Sequence, residues 1–544
     1  MDKERRAARR RDRLGRDLTA LSAGALGLCL LLVAGLLGLL AEEGLGYFWP
    51  RPVERFALKD GTAALGEVVA REAIPGEKTR FRIQIKRGDR DFDGADFVWI
   101  DEDQIVSRTR PADAVLLERS EWGPFYGRLS ALRRGDETIA EGQNAVLAAF
   151  PALWREKKRA AAELRSLERG PVGAINAEIE RLNLSRRAPA LARLAPAERD
   201  RRLREIDAQV AARKGEYERL AERLAAQRLE LNKETLVLEA EGGATKEMPV
   251  ANVVRLVRPN DLTFGGKLRL YGSRLREFVA GEPRESNTEG GVFPALFGTV
   301  MMVFLMTFVV SPLGALAAVY LREYAKQGPL VRAVRIAVNN LAGVPSIVFG
   351  MFGLGFFVYL VGGTIDKLFY AEALPAPTFG TGGILWAALT LALLTVPVVI
   401  VAAEEGLAAV PRAVREGSLA LGATKFETTW RIVVPAAAPG ILTGMILAMA
   451  RAAGEVAPLM IVGMVKLAPR LPVDGTFPFV HFERKFMHLG FHIYDVGFQS
   501  PNVDAAKPLV FATALLLVLV VAAMNLLAIG LRNHLRAKYT SSAV

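Results

Sequence analysis

The chain has 544 residues but a single cysteine, Cys29, and only four histidines. One thiol set inside an apolar run excludes a disulfide framework and any cysteine-built metal site. A Gly-x-x-x-x-Gly-Lys-Ser/Thr loop is also lacking: Gly422-Ala423-Thr424-Lys425 and Gly265-Gly266-Lys267 have the residue types without the spacing. Backbone amides therefore offer no cradle for nucleotide phosphates, which excludes an ATPase of that type. The long polar interval has no Ser/His/Asp grouping, so no enzyme, no cofactor and no metal are expected. A basic patch interleaved with aromatics is missing too. The excess of cations, 70 Lys and Arg against 58 Asp and Glu, is scattered over a tail, short loops and a helical interval. That distribution suits positive cytoplasmic loops better than nucleic acid.

Long hydrophobic runs are what the chain does have. Residues 18–41 form an unbroken apolar stretch, enough to cross a hydrocarbon core. A basic tail of residues 1–17 precedes it, and Glu42-Glu43 behind it makes a poor cleavage context, so an uncleaved anchor is expected. Further spans are expected at 292–320, 337–361, 383–403, 437–465 and 508–531. With the N-terminus in the cytoplasm, the loop 321–336 carries Arg322, Lys326, Arg332 and Arg335, and the tail 532–544 carries Arg532, Arg536 and Lys538. The opposite loop 362–382 has only Lys367. Both termini are therefore expected inside.

Residues 42–290 contain no span. Alternation at Phe81, Ile83 and Ile85 reads as a strand. The stretches Trp99–Val106 and Met248–Arg255 share a cadence, and an Arg-Pro follows each, at Arg110-Pro111 and Arg258-Pro259. Between them, 151–231 is charged and helical, with Leu203, Ile206, Val210, Tyr217, Leu220, Leu224 and Leu231 at the three-four spacing of a short seam that Arg213 and Gln227 interrupt. Gly170-Pro171-Val172-Gly173, Pro189 and Pro196 are expected to break it into a hairpin. An inserted α+β extracytoplasmic domain with a coiled-coil-like helical hairpin follows, as partner-docking surface or spacer.

Two groups of residues carry candidate chemistry. Arg451 and Glu455, four apart in the fifth run, are expected on one helix face, either lining an anion path or locking helices as an ion pair. His481, His488 and His492 share one external loop; closing the outer mouth suits them better than binding a metal. Between the fourth and fifth runs, the loop 404–436 holds Leu419, Leu421, Phe426 and Trp430 as an apolar side and Arg412, Arg415, Lys425 and Arg431 as a wet one. A partner could grip it as a helix in a groove.

Within that loop, Glu416-Gly417-Ser418, then Gly422, then Ile432-Val433-Val434-Pro435 resemble the coupling loop of ABC importer permeases, with Gly417-Ser418 and Val434 departing from its usual residues. Further segments are similar to one branch, the PstA-type permeases of phosphate importers: Glu285–Pro294, Leu341–Gly350, Arg451–Pro458 and the loop beginning at His488. The resemblance covers about 280–544. It implies an all-α polytopic bundle of six transmembrane helices, with the type I ABC importer permease fold and a permease core at 291–531. It also implies an inner-membrane location, a PstC-type permease partner, a PstB-type ATPase dimer and a PstS-type periplasmic phosphate-binding protein. On it Glu416, Gly422, Ile432 and Pro435 serve ATPase coupling, and Arg451 and Glu455 the path. The remaining alternatives are a permease for molybdate or sulfate and a membrane-anchored scaffold or sensor.

Overall fold

The computed structural model describes residues 2–88, 94, 96–188, 194–500 and 503–540. The Pro189 break, the last four residues, and the side chains of the basic tail, Arg536 and Lys538 lie outside the described residues. Six helices are long and apolar enough to cross a membrane: Asp17–Gly46, Phe293–Tyr324, Ser346–Phe369, Ile384–Ala409, Lys425–Gly454 and Ala506–His534.

The fourth of these is the most enclosed, and the bundle closes around it. Leu391, Met302, Met306, Ala448, Ala452 and Phe486 form its buried core. Small residues set the spacing: Gly406 and Gly440 cross backbone to backbone, so that a Cβ on Gly440 would stand 2.5 Å from the Gly406 Cα. The first span touches the sixth near its end, where Gly44 meets Ala512, and its other side chains are largely exposed.

Two boundaries differ from expectation for a clear reason. Residues 337–341 do not open the third span. They end a separate amphipathic helix, Pro329–Leu341, that buries Val331; Pro345 prevents its continuation, and the span starts at Ser346. The fifth span is not a run from 437 to 465. It begins at Lys425, ends at Gly454, and a short helix, Ala457–Val462, follows the break.

The interval between the first two spans is β-rich and duplicated. Strands β1 (Val53–Leu58), β2 (Ala63–Ile74), β3 (Glu77–Lys86), β4 (Phe97–Asp101) and β5 (Ile105–Thr109) pair in the order β4-β3-β2-β1-β5. Strands β6 (Val115–Arg119), β7 (Phe125–Arg134), β9 (Glu234–Glu239), β10 (Thr245–Pro249) and β11 (Val253–Val257) repeat that order as β10-β9-β7-β6-β11, with β8 (Glu137–Glu141) added beside β7. In each unit one 3₁₀ turn, Glu102–Gln104 or Val250–Asn252, joins the last two strands. The shared cadence in the sequence is this strand–turn–strand. Phe56, Ala64, Ile83, Ile85 and Ile100 fill the first unit. At roughly 1.5–3 kcal/mol for a large buried side chain, that core is small, and Val53, Leu65, Leu116, Tyr126 and Leu270 weld the two units together.

A helical hairpin interrupts the second unit between β8 and β9. Helix α1 (Gln143–Leu167) passes through a wide turn, Glu168–Val172, into α2 (Gly173–Arg187) without breaking, contrary to the break expected at Gly170–Gly173. The widened turn accommodates Pro171, whose ring and missing N–H would clash with a regular helix. Helix α3 (Pro196–Leu231) packs back along α2. Of the expected apolar seam only Ile206 and Leu224 are buried, and ion pairs complete the antiparallel contact: Glu178 to Arg213 at 3.0 Å, Glu168 to Arg228 at 2.5 Å. At the root, buried Lys157 pairs with buried Glu234, which also accepts from Arg134 at 2.9 Å.

Candidate functional site

The loop between the fourth and fifth spans is built as a stiff elbow. Its first arm is the helix Arg412–Ala420. Leu421 ends it, and Gly422 turns the chain at φ +89°, a left-handed value that a β-carbon makes costly. Thr424 then starts the second arm: its hydroxyl accepts from the Glu427 N–H at 3.2 Å, while the Thr424 N–H donates to the Glu427 carboxylate at 3.0 Å. Between the arms, the buried hydroxyls of Ser418 and Thr428 meet at 2.9 Å.

The second arm is not a separate short helix. It runs on through a wide turn, Thr429–Val433, into the fifth span, so Ile432 and Pro435 lie within one continuous helical run. Glu416 and Gly422 are exposed, whereas Ile432 and Pro435 are half-buried.

Arg415 does not belong to the wet side. It is drawn in beneath the elbow, donating to the Leu407 and Val410 carbonyls at 2.7 and 2.6 Å and to Glu323 at 2.8 Å. Glu323 ends the second span, so Arg415 clamps the elbow to that helix. Nearby, Arg335 of the amphipathic helix bonds Glu404 at 3.0 Å. Sequence reasoning missed both clamps, because charge counting treats loop arginines as solvated. The apolar side of the elbow points away from the bundle: Leu421 is 91% exposed and Phe426 63% exposed, with Leu419 and Trp430 beside them.

At the other end of the fifth span, the helix stops at Gly454 and Glu455 is extended, at φ −81° and ψ 126°. Arg451 and Glu455 are therefore not on one helix face. They meet across the break, Arg451 Nε to Glu455 Oε1 at 3.6 Å, and both keep solvent-accessible surface. The short helix beyond is seated tightly, with Pro458 against Gly350 of the third span. A helix broken beside a charged pair is an arrangement that membrane proteins tolerate where it lines a cavity.

The histidines are structural in their surroundings. His488 is fully buried, its Nδ1 accepts from the Gly490 N–H at 3.1 Å, and burial pushes its pKa down to about 4. His492 is pushed down equally, mainly by burial. His481 lies within 3.2 Å of both Asp474 and Glu483. No group of three or more metal-type ligands occurs among the described residues. Beside His492, the residues Glu285, Ser286 and Asn287 adopt three successive left-handed conformations. Glu285 accepts the Trp122 N–H of the second β unit at 2.9 Å, and Asn287 donates to the Lys466 carbonyl at 2.8 Å. This strained turn joins the β units to the bundle.

The family model for binding-protein-dependent transport system inner membrane components matches residues 310–541, which takes in the elbow and the broken helix. Phosphate transport system permease protein PstA 1 of Mycobacterium tuberculosis is 36% identical over 244 residues, 45% of this chain and 71% of that protein. The chain belongs to this family of inner-membrane transport components. The PstA protein of Yersinia pestis is 32% identical over 47% of this chain and 77% of its own length. A PstC protein, from Xylella fastidiosa, is 30% identical over 40% of this chain and 69% of its own length. Within the family the chain is thus a PstA-type permease, a multi-pass inner-membrane subunit and not an enzyme. The β units and the hairpin precede the matched residues.

Proposed function

We propose that the chain is a permease subunit of an ATP-driven inorganic phosphate importer, forming the path with a PstC-type permease above a PstB-type ATPase pair. A PstS-type phosphate-binding protein would deliver the anion on the side of the β units. Both termini and the elbow then lie in the cytoplasm. The observation that carries this reading is the elbow itself, with an exposed apolar tip on a base locked by Arg415.

ATP-driven closure of the ATPase pair would displace Leu421 and Phe426, seated in a groove of the ATPase. Because the second arm is continuous with the fifth span, that displacement is not absorbed in a hinge. It is carried along 26 residues, about 39 Å of helix, to Arg451. The Arg415 clamp moves the second span with it. At the far end, Arg451 offers a charge-assisted hydrogen bond to a passing phosphate oxygen, and Glu455 competes for the guanidinium, keeping that bond transient.

The test is radiolabelled phosphate uptake in cells whose only copy is wild type or Gly422→Pro, at matched membrane levels. Proline fixes φ near −65°, incompatible with +89°, and removes an N–H that donates to Leu419 at 3.0 Å. Uptake lost by the variant alone supports the reading. Uptake kept by the variant, or absent in wild type, overturns it.

A further inference from the structure

The hairpin lies across the bundle rather than projecting from it. Arg169, in its wide turn, bonds Glu282 ahead of the second span through two contacts of 2.6 and 2.7 Å. Gly173 lies against Arg470 of the link between the fifth and sixth spans. Farther along, α2 packs on Ala371–Ala373, in the link between the third and fourth. A cleft of about 710 Å³ remains between the hairpin, Glu282 and the 468–476 segment. The hairpin therefore roofs the end of the bundle opposite the elbow. The returning helix α3 packs on α1 and α2 and is otherwise almost wholly exposed.

Charge along the hairpin is segregated. Among the described residues from 181 to 204, seven exposed arginines stand against two carboxylates, Glu198 and Asp200. From 205 to 222 the balance reverses, with five carboxylates against Arg213, Lys214 and Arg219. A solvated helix needs no such division. Four of the seven arginines have ion-pair partners, from Arg202 with Glu205 at 3.0 Å to Arg199 with Asp200 at 3.8 Å, but Arg187, Arg201 and Arg204 have none among the described residues. Every cation in the cluster is arginine, the side chain whose planar fork matches a carboxylate.

Resting on the function proposed above, we propose that this arginine end docks an acidic face of the soluble protein that delivers substrate to the permease. Whatever approaches the roofed end meets α3 before it meets the spans. The position over the span-linking loops, rather than beside the spans, favours a protein over lipid headgroups. Contacts of this kind act mainly on encounter rate and are weakened by salt.

The test uses the full transporter in nanodiscs, with the phosphate-binding protein of the same cell as probe. The variant carries Arg187→Glu, Arg201→Glu and Arg204→Glu, and a second carries glutamine at those positions. The expected result at low salt is a loss of affinity of about tenfold or more for the glutamate variant, a smaller loss for the glutamine one, and convergence with wild type at high salt. ATPase activity without the probe should be unchanged. Equal affinity in all three overturns the docking surface and leaves the phosphate reading standing. So does a loss seen only when the nanodiscs contain phosphatidylglycerol, which would assign the arginines to lipid. If wild type fails to bind the probe, the phosphate reading falls and the docking with it.

Discussion

Arg415 carries more of the elbow than its position in an exposed loop suggests. One guanidinium satisfies two carbonyls near the end of the fourth span and the carboxylate that ends the second. Lysine has one compact charge and cannot hold that fork. Arg415→Lys should therefore keep membrane levels but lower uptake severalfold, with a larger loss for Arg415→Ala; uptake equal to wild type in both would refute the clamp. The buried histidines give a residue-scale pH dependence. Their folded values near 4 lie below the ordinary 6.5. Each therefore contributes stability that is complete above about pH 6.5 and lost as pH falls through the folded value. Thermal unfolding of the bundle should weaken from pH 6.5 to 4, and His488→Gln should flatten that slope.

At the scale of elements, the elbow and the hairpin root make separable predictions. Leu421→Glu changes an exposed tip and leaves the Gly422 turn and the Arg415 clamp intact, so insertion should be normal while co-purification of the ATPase falls. At the root, Lys157 and Glu234 are both buried. Burial raises the Glu234 carboxyl, but hydrogen bonds from Lys157 and Arg134 outweigh it and leave the group below its usual range. Glu234→Gln strands a buried ammonium, a loss of about 3 kcal/mol or more. The expected signature is faster proteolysis of residues 143–231 with an undisturbed bundle. Much at this scale was legible in the sequence. The Gly-to-Pro spacing located the elbow, and the repeated cadence located the matching ends of the two β units. Arg415 was not legible, because only folding brings Glu323, 92 residues away, to meet it. Nor was the break at Gly454. The i, i+4 spacing of Arg451 and Glu455 reads as one helix face, and the stop signal of Gly454 followed by Pro458 was outweighed by the apolar run around it.

For the whole molecule, sidedness can be tested using the chain's single cysteine. In a Cys29→Ser background, Ala212→Cys in the hairpin should react with an impermeant maleimide in intact spheroplasts. Ala420→Cys in the elbow should react only after permeabilisation. The reverse pattern would overturn the orientation. Six apolar runs were enough to expect the bundle, since length and polarity decide what crosses a bilayer. The β units were harder to see. The first has a small core, both are split over many short strands, and the second is divided by helices before its sheet is complete.

That division has a consequence for how the chain is made. The first unit closes its sheet over neighbouring strands, joining Arg55 to Thr109 at the farthest. In the second, Arg134 of β7 waits for Glu234 of β9, 100 residues later. The chain entropy of closing a segment grows with its length, though slowly. Once α1–α3 fold back on themselves, they return β9 to β7, on the edge opposite β8, and shorten the effective separation. The folded hairpin thus spans the 100 residues that separate the paired Arg134 and Glu234. Until it forms, β7 presents an open edge of the kind that pairs with the wrong strand.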